Sequence, residues 1–209
     1  MKPFIRHCGI AAPLPLANVD TDQIVPKQFL KTVERRGLKA ALFYDQRHAP
    51  DGTPIAGFVL DQAPWNEATI LVAGDNFGCG SSREHAAWAL ADFGICCVIS
   101  SRIADIFYNN SINNGLLPVT VPADLLAHLM GLAELGARLC VDLERRIIIH
   151  GEDAYPFVID ERVRARLLAG LDPIGEAQAE EAAIAAIEGR LAAATPWLPH
   201  PAEAEGHAA

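Results

Sequence analysis

Residues Gly74-Asp75-Asn76-Phe77-Gly78-Cys79-Gly80-Ser81-Ser82-Arg83-Glu84-His85 bring glycine, hydroxyl, guanidinium, carboxylate and imidazole into one short run. A guanidinium at Arg83 can hold a carboxylate through paired N–H donors. Ser81, at a helix start and near that cation, sits where an alkoxide costs less than usual. A serine that removes a carbon-bound proton needs such help, because its ordinary hydroxyl is a very weak base. The carbanion left beside a carboxylate also needs an electrophile to spread its charge. The chain offers no evident one, so a partner must supply it.

Three readings of this run stand side by side. Ser81-Ser82-Arg83-Glu84 fits the S/T-x-x-E capping box, in which Ser81 and Glu84 would satisfy backbone donors reciprocally. That accounts for one serine and one glutamate, but not for Asn76, Gly78, Gly80, a second serine and an arginine. A nucleotide phosphate loop is disfavoured, since neither GxxxxGK[ST] nor GxGxxG is present. Carboxylic-acid chemistry uses the remaining residues. Cys79 reads as a small residue packed beneath the turn rather than as a nucleophile.

These side chains need a frame. The apolar run 68–73 reads as a strand, and 82–92 as a helix ended by Gly94. Its free N–H groups and positive dipole end favour an anion, and Gly78 and Gly80 let backbone approach a ligand closely. A strand at 95–99, a helix at 102–113 closed by Asn114-Gly115, an extended segment at 116–121 and a helix from Pro122 to about 132 follow. Short strands at 140–143, 147–150 and 155–159 look antiparallel, with a turn at Gly151-Glu152-Asp153. A helix at 161–169 stops at Gly170, and an alanine-rich helix runs from about 176 to 193.

Upstream, residues 1–25 read as extended pieces broken by Pro13 and Pro15, with strand-like alternation at 19–25. Residues 27–56 are polar and mixed, with a short helix near 29–35 and a Pro50-Asp51-Gly52 turn, as in many functional loops. Parallel βαβ elements mixed with hairpins imply an α/β layered domain.

Composition narrows the function classes. At 209 residues, 51% hydrophobic and with a mean hydropathy of +0.17, the chain can bury a substantial core. A net charge of −9 without a dense basic run argues against nucleic acid. No stretch approaches the ~20 apolar residues needed to span a bilayer, and no apolar segment follows Lys2 and Arg6 as a signal peptide would require. A cytoplasmic protein is expected. Five cysteines form an odd set without a CxxC pair, and no metal site is expected on this chain. Cys96 and Cys97, inside an apolar run, read as buried reduced thiols. His7, His48, His128, His150, His200 and His207 have no ligand-like spacing; His85 is expected to face the core and donate a hydrogen bond. Asp20 and Asp22 either form a turn before Pro26 or position the glycine loop.

The string from Gly78 to Ala86 resembles the signature of the small swivelling domain of aconitase-type hydro-lyases. The wider chain, from about residue 2 to 190, is similar to the small subunits of bacterial 3-isopropylmalate dehydratases. Segments 18–31, 104–111, 113–118 and 172–175 extend that likeness. The resemblance implies a single three-layer β/β/α swivelling domain of the aconitase C-terminal-domain type over 1–175, with a mobile substrate loop at about 26–50. A C-terminal helix at 176–195 and a flexible tail at 196–209 would follow.

The resemblance also implies a division of labour. Ser81 would be the base, and Ser82, Arg83 and Gly80 would bind substrate carboxylate. Phe29-Leu30-Lys31-Thr32 would form the specificity loop. Relatives acting on longer acids carry tyrosine first and arginine third there; Phe29 and Leu30 offer apolar surface for a branched alkyl group. Aconitase itself has a substrate arginine just upstream of the Val19-Asp20 segment, and the nearest equivalent here is Leu16. A [4Fe-4S] cluster would reside on a large subunit, the heterodimer partner, and act there as the electrophile. The implied reaction interconverts 2-isopropylmalate and 3-isopropylmalate in leucine synthesis. A related hydro-lyase acting on 2-methylmalate and citraconate, dimethylmalate or homocitrate is the alternative. A non-catalytic carboxylate-binding module is the reading from another class.

Overall fold

In the computed structural model, residues 1–32 and 34–197 are described. The run 70–73 is apolar at every position and becomes β2 (Ile70–Ala73), buried on both faces. Its flanks are β1 (Arg6–Leu14) and β3 (Cys97–Ser100), both parallel to it, and β4 (Leu117–Thr120) lies parallel beyond β3. On the other side of β1, β5 (Arg138–Asp142), β6 (Ile147–His150) and β7 (Asp153–Pro156) run antiparallel. The result is one seven-stranded sheet in the order β4-β3-β2-β1-β5-β6-β7. The α/β reading holds, with β1 shared between a parallel half and an antiparallel half.

Side-chain alternation splits the core in two. Ala11, Ile70, Val72, Cys97 and Ile99 face a cluster closed by α5 (Ala123–Glu134) through Leu126, Leu129 and Ala133, and by Leu167 of α6 (Glu161–Ala169). Ala12, Leu14, Leu71, Ala73 and Val98 face the other cluster, covered by α3 (Glu84–Phe93) and by Ile24, Val25, Leu42 and Phe43. Helix α4 (Asp105–Asn113) contributes to both, with Phe107 in one cluster and Ile112 in the other.

Several sequence expectations are corrected. Residues 6–14 form one nine-residue strand despite Pro13. The Ala11 N–H donates to Ala137 O at 3.0 Å, so odd positions of β1 point their N–H toward β5. Strand pairing with β5 ends at Ile10, and the proline therefore costs no ladder bond. The alternating segment 19–25 is not a strand but holds the short helix α1 (Thr21–Ile24). Asp20 caps it, accepting from Gln23 N at 2.7 Å while Gln23 Oε1 accepts from Asp20 N at 3.0 Å. Among the described residues near 29–35, a 3-10 turn at Lys27–Phe29 stands in place of the expected helix; α2 (Tyr44–Arg47) comes later. The third short strand lies at Asp153–Pro156 rather than 155–159.

Cys8 and Cys140 are also joined by a disulfide, which leaves Cys79, Cys96 and Cys97 free. The two oppose each other directly in the β1–β5 register. Ile5–Leu143 and Ala11–Ala137 carry the ladder bonds, so Cys8–Cys140 falls at a non-hydrogen-bonded site, where side chains come closest.

Met1–Asp172 forms one unit and Pro173–Ala209 a second. The second contains α7 (Pro173–Ala179) and α8 (Glu181–Ala194), where one continuous helix was expected from 176. Pro173 opens α7, a position where its missing N–H costs nothing. Of the expected tail, 198–209 lies outside the described residues.

Candidate active site

The glycine loop is held from below by its own backbone. Asn76 takes a left-handed conformation at φ 60°, and Phe77 N–H donates to Arg102 O at 3.0 Å. Phe77 stacks edge-on against Phe107, with ring centroids 5.3 Å apart. Gly78 lies directly over Phe107 at φ +76°; a Cβ there would fall inside that side chain, 2.7 Å from Cδ1 and closer still to Cβ and Cγ. The glycine is required both by dihedral and by space.

From above, residues 18–21 are zipped onto the loop. Gly78 N and Cys79 N both donate to Val19 O, at 2.8 and 3.2 Å, and Thr21 N donates to Cys79 O at 2.9 Å. Asn76 Nδ2 donates to Asn18 Oδ1 at 2.8 Å. The buried Thr21 hydroxyl accepts from Ser81 N and donates to Ser81 O, both at 3.2 Å. Thr21 thus fixes the Ser81 backbone and leaves its Oγ uncommitted to that clamp. No motif in the sequence pointed to this role.

The expected capping box at Ser81–Glu84 does not form. Helix α3 starts at Glu84, with Arg83 as N-cap and no side-chain cap bond. Glu84 Oε1 instead accepts from Asn114 Nδ2 at 2.9 Å, tying α3 to the end of α4. Both Ser81 and Ser82 are exposed just before the helix, and Gly80 is exposed at φ +91°.

Arg83 is largely withdrawn, its side chain 19% exposed, and its Nη1 meets Asp22 Oδ1 in an ion pair outside hydrogen-bond geometry. Asp22 therefore belongs to the corner, as one of the two sequence readings allowed. Arg83 and Asp22 line an open cavity of about 310 Å³ with Pro26, Lys27, Gln28 and Asp45. Replacing Asp22 by Asn removes the charge that orients the guanidinium. Because Asp22 is half exposed, the pair is worth only about 1 kcal/mol.

Other thiols are removed from the chemistry. Burial pushes the Cys96 thiol up to about 12 and also raises that of Cys97, so neither is a thiolate at neutral pH. Among the described residues, no group of three or more His, Cys, Asp or Glu side chains could hold a metal ion. No helix among them is long and apolar enough to cross a membrane.

With this corner in view, the likeness to known proteins becomes specific. Residues 1–124 match the family model of the aconitase C-terminal domain. The 3-isopropylmalate dehydratase small subunit of Caulobacter vibrioides is 54% identical over 200 residues, covering 95% of this chain and 99% of that protein. Those of Paracoccus denitrificans and Cereibacter sphaeroides are 51% and 50% identical over 201 residues, each covering 95% of this chain and the whole of the relative. The chain belongs to this small-subunit family.

A solved structure of 3-isopropylmalate dehydratase (leuD) from Methanocaldococcus jannaschii also matches. It superposes with a TM-score of 0.63 at 25% identity, over 87% of this chain and 98% of that one. The family-model match spans β1 to β4 and the glycine corner at the end of β2.

The segment expected to form a specificity loop, residues 29–32, is only partly apolar surface. Phe29 and Leu30 are half-buried against the α3-side core, Phe29 lying 4.9 Å from the Tyr44 ring. Lys31 is exposed and does not line the Arg83 cavity, whereas Lys27 does. Thr32 Oγ1 accepts from Glu34 N at 3.0 Å, and Thr32 O meets His85 Nε2 at 2.9 Å. His85, expected to face the core, instead faces this loop. Leu16 is exposed.

Proposed function

We propose that this chain is the small subunit of a 3-isopropylmalate dehydratase, a hydro-lyase that interconverts 2-isopropylmalate and 3-isopropylmalate by dehydration and rehydration. The observation that carries this reading is the corner itself. Exposed Ser81 and Ser82 flank an Arg83 held by Asp22, within a chain that matches such subunits along 95% of its length.

Each residue's task follows from its chemistry. Ser81 Oγ takes the carbon-bound proton during dehydration and returns it during hydration. Arg83, with Ser82 and the backbone at Gly80, holds a substrate carboxylate; the five-donor guanidinium has N–H groups beyond the one facing Asp22. Phe29 and Leu30 offer apolar contact to the isopropyl group. The departing hydroxyl requires an electrophile. The resemblance assigns it to a [4Fe-4S] cluster on the large subunit, whose Lewis acidity would polarise that hydroxyl. This chain's described residues do not fit such a cluster. The alkyl-compatible loop favours isopropylmalate over acids with a distal carboxylate.

The test is reconstitution with the cognate large subunit, comparing 2-isopropylmalate, 2-methylmalate, dimethylmalate and homocitrate. Turnover of 2-isopropylmalate only when both chains are present is expected. Turnover by the isolated chain, or a preference for another acid, would overturn the assignment. Tight binding without turnover of any acid would favour a carboxylate-binding module.

A further inference from the structure

Helix α3 presents His85, Trp88 and Asp92 at i, i+3 and i+7, one stripe of its surface. Each meets the loop at a matching interval. His85 Nε2 lies 2.9 Å from Thr32 O. The Arg35 guanidinium carbon lies 5.5 Å from the Trp88 ring centroid. Asp92 Oδ2 accepts from Lys39 N at 2.8 Å. Residues 32, 35 and 39 repeat the spacing of 85, 88 and 92, so the loop is strapped lengthwise along the helix. Lys39 Nζ adds a contact 5.0 Å from the Phe93 ring.

Among the described residues of this stretch, Lys31, Glu34, Arg35, Arg36 and Gly37 are exposed, and Leu38 is buried in the core. The stripe itself is rigid. Trp88 Nε1 donates to Asn114 Oδ1 at 2.9 Å, and Ala86, Ala87, Ala89 and Leu90 are fully buried behind it. A carbonyl oxygen only accepts, so the His85 nitrogen facing Thr32 carries the hydrogen.

We propose that the His85–Trp88–Asp92 stripe positions the specificity segment, with His85 fixing Thr32 and hence the placement of Phe29 and Leu30 relative to Arg83. This deepens the functional reading above and rests on it. His85 is a positioning residue: it touches the loop backbone, and one residue, Glu84, separates it in sequence from Arg83. One helix thereby sets both the carboxylate anchor at its start and the alkyl contact along its side.

The experiment has two arms. In hydrogen exchange of the whole chain, His85→Ala should accelerate the amides of 34–39 by about tenfold, the scale of one intramolecular hydrogen bond, while β2 and β3 stay unchanged. Asp92→Ala should do the same from the other end. In the assembled enzyme, His85→Ala should raise KM for 2-isopropylmalate by about tenfold with kcat within about twofold, and narrow the preference over 2-methylmalate. His85→Gln, whose Nε2 can donate to Thr32 O, should restore both. Unchanged exchange overturns the strap. Faster exchange with unchanged KM and preference overturns its role in specificity. A fall in kcat equal to that in kcat/KM places His85 in the chemistry and overturns the positioning role. Were the assembled wild type inactive on every acid, the functional reading would fail while exchange still decided the strap.

Discussion

Ser81→Ala should lower kcat of the assembled enzyme by about 10²- to 10⁴-fold, the range for loss of a general base, with KM changed little. The corner should survive this change. Thr21 Oγ1 grips the Ser81 backbone N–H and C=O and makes no use of its Oγ. The variant should therefore assemble with the large subunit and bind substrate. The sharper readout is exchange of the substrate's carbon-bound hydrogen with deuterated solvent, which should vanish along with turnover. Size-exclusion chromatography checks assembly. Near-wild-type turnover in an intact complex would remove Ser81 from its role.

Gly78→Ala should damage fold and activity together. An alanine at φ +76° is strained, and its Cβ would collide with Phe107. Phe107 has little room to retreat, because it is fully buried and packed edge-on against Phe77. Overpacking plus backbone strain gives roughly 2–4 kcal/mol, or about 5–15 °C in Tm for a domain of this size. Gly57→Ala is the matched control. It too has positive φ, +103°, but nothing lies within 4 Å of the added carbon, so only the backbone cost of about 1 kcal/mol applies. Calorimetry on both separates collision from strain. Equal losses would mean that the Phe107 contact is immaterial.

What the sequence disclosed followed from local physics. The apolar run around Ile70–Ala73, the glycines and the amphipathic stretch after Arg83 are patterns of neighbours, and all three appear where expected. What stayed hidden depends on pairing across the chain. Pro13 suggested a broken segment, because nothing local shows that its N faces beyond the end of β5. Ser81 and Glu84 fit a capping box by spacing. However, Thr21 and Asn114 claimed them first, while the box that forms is Asp20–Gln23. The Ser81 and Arg83 run was legible by residue type. Its supports, Thr21, Asp22 and His85, became identifiable only once 18–24 and 32–39 were folded against it.

The bridge between Cys8 and Cys140 closes a ring that contains residues 26–50, the glycine corner, the whole of β2, β3 and β4 and parts of β1 and β5. A protease that cuts the chain once in the exposed stretch 34–37 would therefore release nothing. The two pieces would travel as one molecule on a non-reducing gel and separate only after a thiol reductant is added. Cleavage near Gly151, outside the ring, would free its fragment from covalent attachment under either condition.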